Sequence, residues 1–371
     1  MGLAYMSRRG SQGDPRDWPH AAWVLGGSSV VAGIANRDHC IGRMTTRAAS
    51  HAGSWYPASK TRLVNDLERW LSEAHVDEDP SVDESWKSVC VATPMKDCRA
   101  IIAPHAGYSY SGRAAAWAYK LIDPDQIKRV FILGPSHHVY LNCCALSKCT
   151  QYETPIGDLP IDTSVNDELR EKNKFGEMSH QTDEEEHSIE LHLPYIRHMF
   201  KNQDIKIVPI LVGSLSSSEE CEYGALLAPY LADPQNFFVI SSDFCHWGTR
   251  FAYTHYQDPA SVDSPKTLTS SSAPQYPIHK SIECLDKEAL DAISLQDPCH
   301  AHASFKTYLK RTKNTICGRH PIGVLLGAMI KLQESSVSQE LRFVRYEQSS
   351  QCLTGKDSSV SYASAFLRHP A

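Results

Sequence analysis

Three short runs of β-branched and aromatic residues constrain the fold of this chain most, because each stops at a polar cluster that carries histidine. Ile101-Ile102-Ala103 leads into Pro104-His105-Ala106-Gly107, and Val130-Phe131-Ile132-Leu133 leads into Gly134-Pro135-Ser136-His137-His138. Phe237-Phe238-Val239-Ile240 leads into Ser241-Ser242-Asp243-Phe244-Cys245-His246. Runs of this length and residue type read as strands buried on both faces. Between the first two, the alanine-rich stretch 112–122 reads as a helix, which makes a βαβ unit. Parallel strands point their carboxyl ends the same way, and open α/β sheets bind ligands beyond those ends. His105, His137 and the pair Asp243 and His246 are therefore expected on one rim.

The alternation continues along the chain. Residues 205–212 read as a strand, 219–231 as a helix stopped by Asp233-Pro234, and 281–295 and 303–310 as helices. Residues 322–332 form an apolar helix that Pro321 is suited to open, and 341–346 and 360–367 alternate as strands. The expected fold class is α/β, with a central mixed, largely parallel β-sheet flanked by helices. One domain is expected over residues 48–368, preceded by a poorly ordered extension, 1–47. Stretches 73–96, acidic with prolines, and 258–276, which holds the tract Thr267-Leu268-Thr269-Ser270-Ser271-Ser272, have too few apolar residues to repay ordering and read as flexible insertions.

Composition removes several classes of function. At 371 residues and 42% hydrophobic, the chain can bury a large core. A formal net charge of −6 supplies no basic footprint for nucleic acid. No stretch reaches the roughly 20 apolar residues that span a bilayer. Charges at Arg8, Arg9, Asp14, Arg16 and Asp17 precede only a mildly apolar segment, 20–35, unlike a secretory signal. The 12 cysteines follow no regular framework, which points to reduced thiols and a cytoplasmic setting.

Imidazole nitrogen and thiolate are ligands for zinc, iron and copper, and His105, His137 and Cys317 are the candidate set. Cys317, followed by Gly318-Arg319-His320, is also compatible with a nucleophile whose thiol pKa a histidine lowers, with Arg319 binding an anion. Asp243 and His246 suit an orienting role in which a carboxylate holds a ligand imidazole, or Asp243 caps a helix. His187 and Glu190, one turn apart, can supply a general base, or belong to a solvated helix start behind the carboxylates 183–186. His51 and Trp55, in Ser50-His51-Ala52-Gly53-Ser54-Trp55-Tyr56, line the same cleft or fill core.

With these residues in place, the chain resembles the Memo family, mediators of ErbB-receptor-driven cell motility. The resemblance runs through SHAGSWY (50–56), AIIAPHAGYSY (100–110), FILGPSHHV (131–139), EHSIELHLPY (186–195), SSDFCHWG (241–248), NTICGRHPIGVLL (314–326) and KDSSVSYA (356–363). It implies a fold similar to the class III extradiol dioxygenases, which hold non-haem iron(II) with two histidines and a glutamate. Carried onto this chain, the histidines are His105 and His137, and Cys317 stands where those enzymes have a carboxylate. A thiolate donates more strongly, prefers softer metals and is itself oxidisable.

The resemblance implies a metal-binding redox protein, with iron(II) or copper, acting in receptor signalling, motility and cytoskeletal control, and iron or reactive-oxygen handling. It implies a cytoplasmic protein, with the nucleus also open to it, and phosphotyrosine-containing or other signalling proteins as partners. His187, His246 and Asp243 are the expected catalytic groups, and His51, Trp55, Glu190 and Arg319 the expected cleft. The alternatives are a working iron(II) dioxygenase and a metal-free phosphopeptide adaptor. Residues 1–46 and 258–276 have no counterpart in the family's pattern.

Overall fold

The apolar runs do form adjacent strands, in an order that brings their histidine-bearing ends together. The computed structural model describes residues 45–75, 91–259, 265–272 and 274–370. Cys98–Ala103, Asn236–Ser241, Arg129–Pro135 and Lys206–Val212 lie side by side in that order, all parallel. The two strands of the βαβ unit are thus not neighbours, because Asn236–Ser241 lies between them.

The sheet is mixed at its flanks. Cys144–Leu146 runs antiparallel to Lys206–Val212, and Ser359–Arg368 antiparallel to Cys98–Ala103. Glu340–Gln348 takes one edge of Ser359–Arg368. Its other edge is shared: Cys98–Ala103 pairs from Ala365 to Arg368, and Asp243–Trp247 pairs from Ser359 to Tyr362. The chain after Ala103 therefore leaves the sheet where the strand carrying Asp243 begins.

Both faces are covered, which is why the central strands read as continuous apolar runs rather than alternating ones. Ala100, Ile102, Phe131, Leu133, Phe238 and Ile240 pack into one core, and Ile101, Ala103, Val130, Ile132, Phe237 and Val239 into the other. The first core lies under Ser217–Ala232, Ile278–Ile293, Pro298–Thr312 and Arg319–Gln333; the second lies under Lys60–Glu73 and Tyr108–Tyr119. Gly224 lets two of these helices touch backbone to backbone, since a Cβ there would sit 2.3 Å from the amide nitrogen of Ala328. The helix Lys60–Glu73 was not among the sequence expectations, although Leu63, Leu67 and Trp70 recur on its buried face at helical spacing.

Two boundaries need correcting. Residues 1–47 were expected to be a poorly ordered extension, yet Thr46–Arg47 is a strand parallel to Gln151–Tyr152, and Arg47 is fully buried. Residues 1–44 lie outside the described residues. Within the expected flexible insertion 258–276, Lys266–Thr267 pairs antiparallel with His255–Tyr256. Of the insertion 73–96, residues 76–90 lie outside the described residues, while Glu73 ends a helix. No helix among the described residues is long and apolar enough to cross a membrane, and the ten described cysteines are free.

Candidate metal centre

Each imidazole arrives on a loop just past the carboxyl end of a strand or on the first residue of a short helix. His105 follows Cys98–Ala103, His137 follows Arg129–Pro135, and His187 opens the single turn His187–Glu190. One ring nitrogen from each lies within 4.8 Å of the other two, the only such set among the described residues. The rings of His137 and His187 stack with centroids 4.4 Å apart, and the His105 ring lies 5.2 Å from that of His137. Gly134 permits this approach, because a Cβ there would meet the Ser188 hydroxyl at 2.5 Å.

The hydrogen bonds behind the rings fix which nitrogen faces inward. Ser241 Oγ donates to the Ser188 carbonyl at 2.7 Å, so it accepts from His105 Nδ1–H at 2.5 Å. His137 Nδ1–H donates to Glu186 Oε1 at 2.9 Å, and the other oxygen of Glu186 accepts the His137 backbone N–H at 2.7 Å. His187 Nδ1 lies 3.5 Å from Glu186 Oε1. With Nδ1 of His105 and of His137 engaged, Nε2 of each is the free donor, which is how outer groups set up metal-binding imidazoles. Cys317 Sγ lies 3.3 Å from His105 Nε2 and also hydrogen-bonds His137.

Electrostatics differ among the three rings. Burial and the neighbouring imidazoles hold His105 and His187 well below the ordinary histidine value, so both rings are neutral. Burial alone would raise the Glu186 carboxyl; His137 outweighs it and holds the group far below the usual carboxylate range. Burial opposes charge on His137, but Glu186 and Cys317 push it up to about 10. The donor set of three imidazoles and one thiol fits iron, copper or zinc.

The structure places the sequence candidates unevenly around this centre. The structure brings His105, His137 and Cys317 together, and it sets the His187 ring beside them rather than against Glu190. Glu190 turns away, accepting from His51 Nδ1 at 2.7 Å and from Tyr56 O–H at 2.7 Å. Its pKa is drawn down to about 2 because, against burial, the His51 hydrogen bond and Arg47 favour the anion. Trp55 lies against His187 with ring centroids 4.5 Å apart, and the His51 ring lies 6.0 Å from His187.

Other expectations are corrected. Asp243 does not orient an imidazole; its carboxylate accepts the His105 backbone N–H at 2.9 Å, and it sits in a strand, so it caps no helix. Burial pushes this carboxyl up to about 7. His246 is held by the carbonyls of Phe244 and Thr315, at 2.9 and 3.2 Å, and burial lowers it to about 4. Burial raises the Cys317 thiol and His137 offsets only part of this, which opposes the nucleophile reading. Arg319 points Nη1 at the Ile316 carbonyl, 3.5 Å away. His320, close to Cys317 in sequence, joins a different set, in which Glu220 binds His320 Nδ1 at 2.7 Å and His302 Nε2 at 2.8 Å.

Sequence reasoning missed Glu186, Ser241 and Arg47. Glu186 was read as part of a solvated acidic run, yet Asp183 and Glu186 are buried while Glu185 is exposed.

Comparison with known proteins then decides the family. The model of the family described as "Memo-like protein" matches residues 47–366. The chain belongs to the Memo-like family. Protein MEMO1 of Danio rerio is 50% identical over 327 residues, covering 88% of this chain and 98% of the relative. Protein MEMO1 of Homo sapiens is 48% identical with the same coverage of 88% and 98%. The Protein memo-1 homolog of Caenorhabditis elegans is 43% identical over 87% of this chain and 82% of its own length. Among solved structures, an uncharacterized protein of Escherichia coli K12 aligns with 72% of this chain and 99% of its own, at 15% identity and a TM-score of 0.42.

Proposed function

We propose that this Memo-family chain is a metal-binding redox protein whose centre is His105, His137 and His187, with the Cys317 thiol beside it, and whose ion is iron(II) or copper. The observation that carries the reading is the convergence of three ring nitrogens within 4.8 Å, two of those imidazoles having the opposite nitrogen already engaged by Ser241 or Glu186. A bound ion would supply one-electron chemistry. The chain's own part is to keep His105 and His187 neutral, to align His137 against Glu186 and to hold an oxidisable thiol beside the ion. Family membership supports a role in signalling, motility control and metal or reactive-oxygen handling, in the cytoplasm or nucleus, with signalling proteins as partners.

The dioxygenase alternative is weaker on chemical grounds. Non-haem iron(II) oxygenases combine two histidines with a carboxylate, and here Glu186 binds the outer Nδ1 side of the rings while the Asp243 carboxylate accepts the His105 backbone N–H. The metal-free phosphopeptide adaptor is also weaker. A cavity of about 640 Å³ beside His51 and His138 is lined also by Ser50, His180, Gln181, Glu184 and Glu185; it includes none of the centre's donors, and no lysine or arginine lines it to meet a phosphate.

Elemental analysis with anaerobic iron(II) and copper(I) titration of the full chain tests the reading. The expected result is about one ion per chain, lost in His105→Ala and His187→Ala and bound more weakly in Cys317→Ser. Absence of metal uptake by the unaltered protein under every condition would overturn it.

A further inference from the structure

Glu186 is the hinge on which the centre turns, because it ends one helix and begins the next. His180–Glu185 stops there with the backbone extended, at φ −80° and ψ 124°, and the Glu186 side chain accepts the Ser188 N–H at 3.0 Å to start His187–Glu190. The direction of its carboxylate, and so of the His137 ring, depends on what holds that junction.

Arg47 holds it. Its Nε–H donates to the Asp183 carbonyl at 2.8 Å, and Nη2–H donates to the Glu186 carbonyl at 2.9 Å and the Glu184 carbonyl at 3.4 Å. The Asp183 and Glu184 carbonyls belong to the last turn of His180–Glu185, where helix carbonyls lack intrahelical partners, and the Glu184 carbonyl is also met by Ser50 Oγ. Nη1 pairs with Glu190 Oε2 at 2.7 Å and donates to the Ala48 carbonyl at 2.8 Å. One rigid fork therefore spans both sides of Glu186, the last turn before it and the carboxylate after it. A compact ammonium cannot serve all these directions.

A buried arginine beside Asp183 and Glu190 is also what simple charge balance demands. Charge balance needs only carboxylate partners, whereas three of these bonds go to main-chain carbonyls flanking the junction. We infer that Arg47 is a positioning residue of the imidazole centre, setting the chain path through Glu186 and thereby the hydrogen bond that aligns His137. The functional consequence rests on the metal-holding reading above, but the geometric effect does not.

The test uses full-length Arg47→Lys, Arg47→Met and the charge-balanced Arg47→Met/Glu190→Gln. In metal-free protein, NMR follows the His137 imidazole N–H held by Glu186; in parallel, iron(II) affinity and the visible spectrum after cobalt(II) loading are recorded. The expected result is that folded Arg47→Lys loses or shifts the N–H signal, binds iron(II) about 10- to 100-fold more weakly and alters the cobalt spectrum. The double variant is expected to recover thermal stability without recovering the signal. If any folded Arg47 variant keeps the wild-type N–H signal, Arg47 is only a counter-ion and the inference falls. If the signal depends on Arg47 but the unaltered protein takes up no metal, the positioning role stands and the metal reading is the one that fails.

Discussion

Two places in this molecule use the same parts to opposite ends. At the sheet rim, Glu186 lies behind His137 and His187, on the Nδ1 side of both rings, and the inner nitrogens face a third imidazole and a thiol. On the helical side, Glu220 lies between His302 and His320, and both imidazoles point at it. The first carboxylate leaves a centre lined by donors; the second fills the centre itself. Each carboxylate serves two imidazoles, so the side of the ring on which it stands separates an open cluster, extended by a third imidazole and a thiol, from a clasp between Ser217–Ala232, Pro298–Thr312 and Arg319–Gln333.

The strongest way to break this contrast is to delete one imidazole from each set. His137→Ala is expected to abolish iron(II) binding in anaerobic calorimetry, while His302→Ala keeps the full stoichiometry; equal losses would erase the distinction. Next, Glu186→Gln removes the charge behind His137 and should weaken metal binding about 10- to 100-fold, whereas Glu220→Gln should leave affinity unchanged.

Gly224→Ala probes the clasp's scaffold, since its new methyl would overlap the backbone of Gly327 and Ala328. It is expected to cost about 1–3 kcal/mol, seen as a lower thermal midpoint, with metal uptake by the folded protein unaltered. The smallest effect is pH-linked. Burial would raise Glu220, but hydrogen bonds from His302 and His320 outweigh it and lower the folded value. Its contribution is therefore complete above the ordinary carboxylate value of about 4.3 and lost as pH falls through the folded value. Glu220→Gln should cost about 1–2 kcal/mol near neutrality, with urea midpoints of variant and wild type converging in acid; a constant gap at all pH would contradict the clasp.

The parallel core and its rim were legible because burial on both faces writes an unbroken apolar run, and His105 and His137 followed directly from where those runs stop. What escaped notice was position rather than type. Glu186 looked like one charge among four, since sequence does not say which side of a short helix faces inward. Ser241 is small and neutral, and its importance comes from the strand it ends, Asn236–Ser241, being inserted between the two that carry histidines. Arg47 stood next to an apparently formless segment. His320 misled in the other direction, since its neighbour Cys317 faces the centre while the helix it opens carries it toward Glu220.

That inserted strand also sets a timetable. A chain made from its amino end presents Cys98–Ala103 and Arg129–Pro135 long before Asn236–Ser241, the element that must lie between them. Until it arrives, the loops bearing His105 and His137 have no shared frame, and the thiol of Cys317 comes later still. A half-made polypeptide thus holds its imidazoles without a common frame, and their convergence waits for a strand that the chain supplies later.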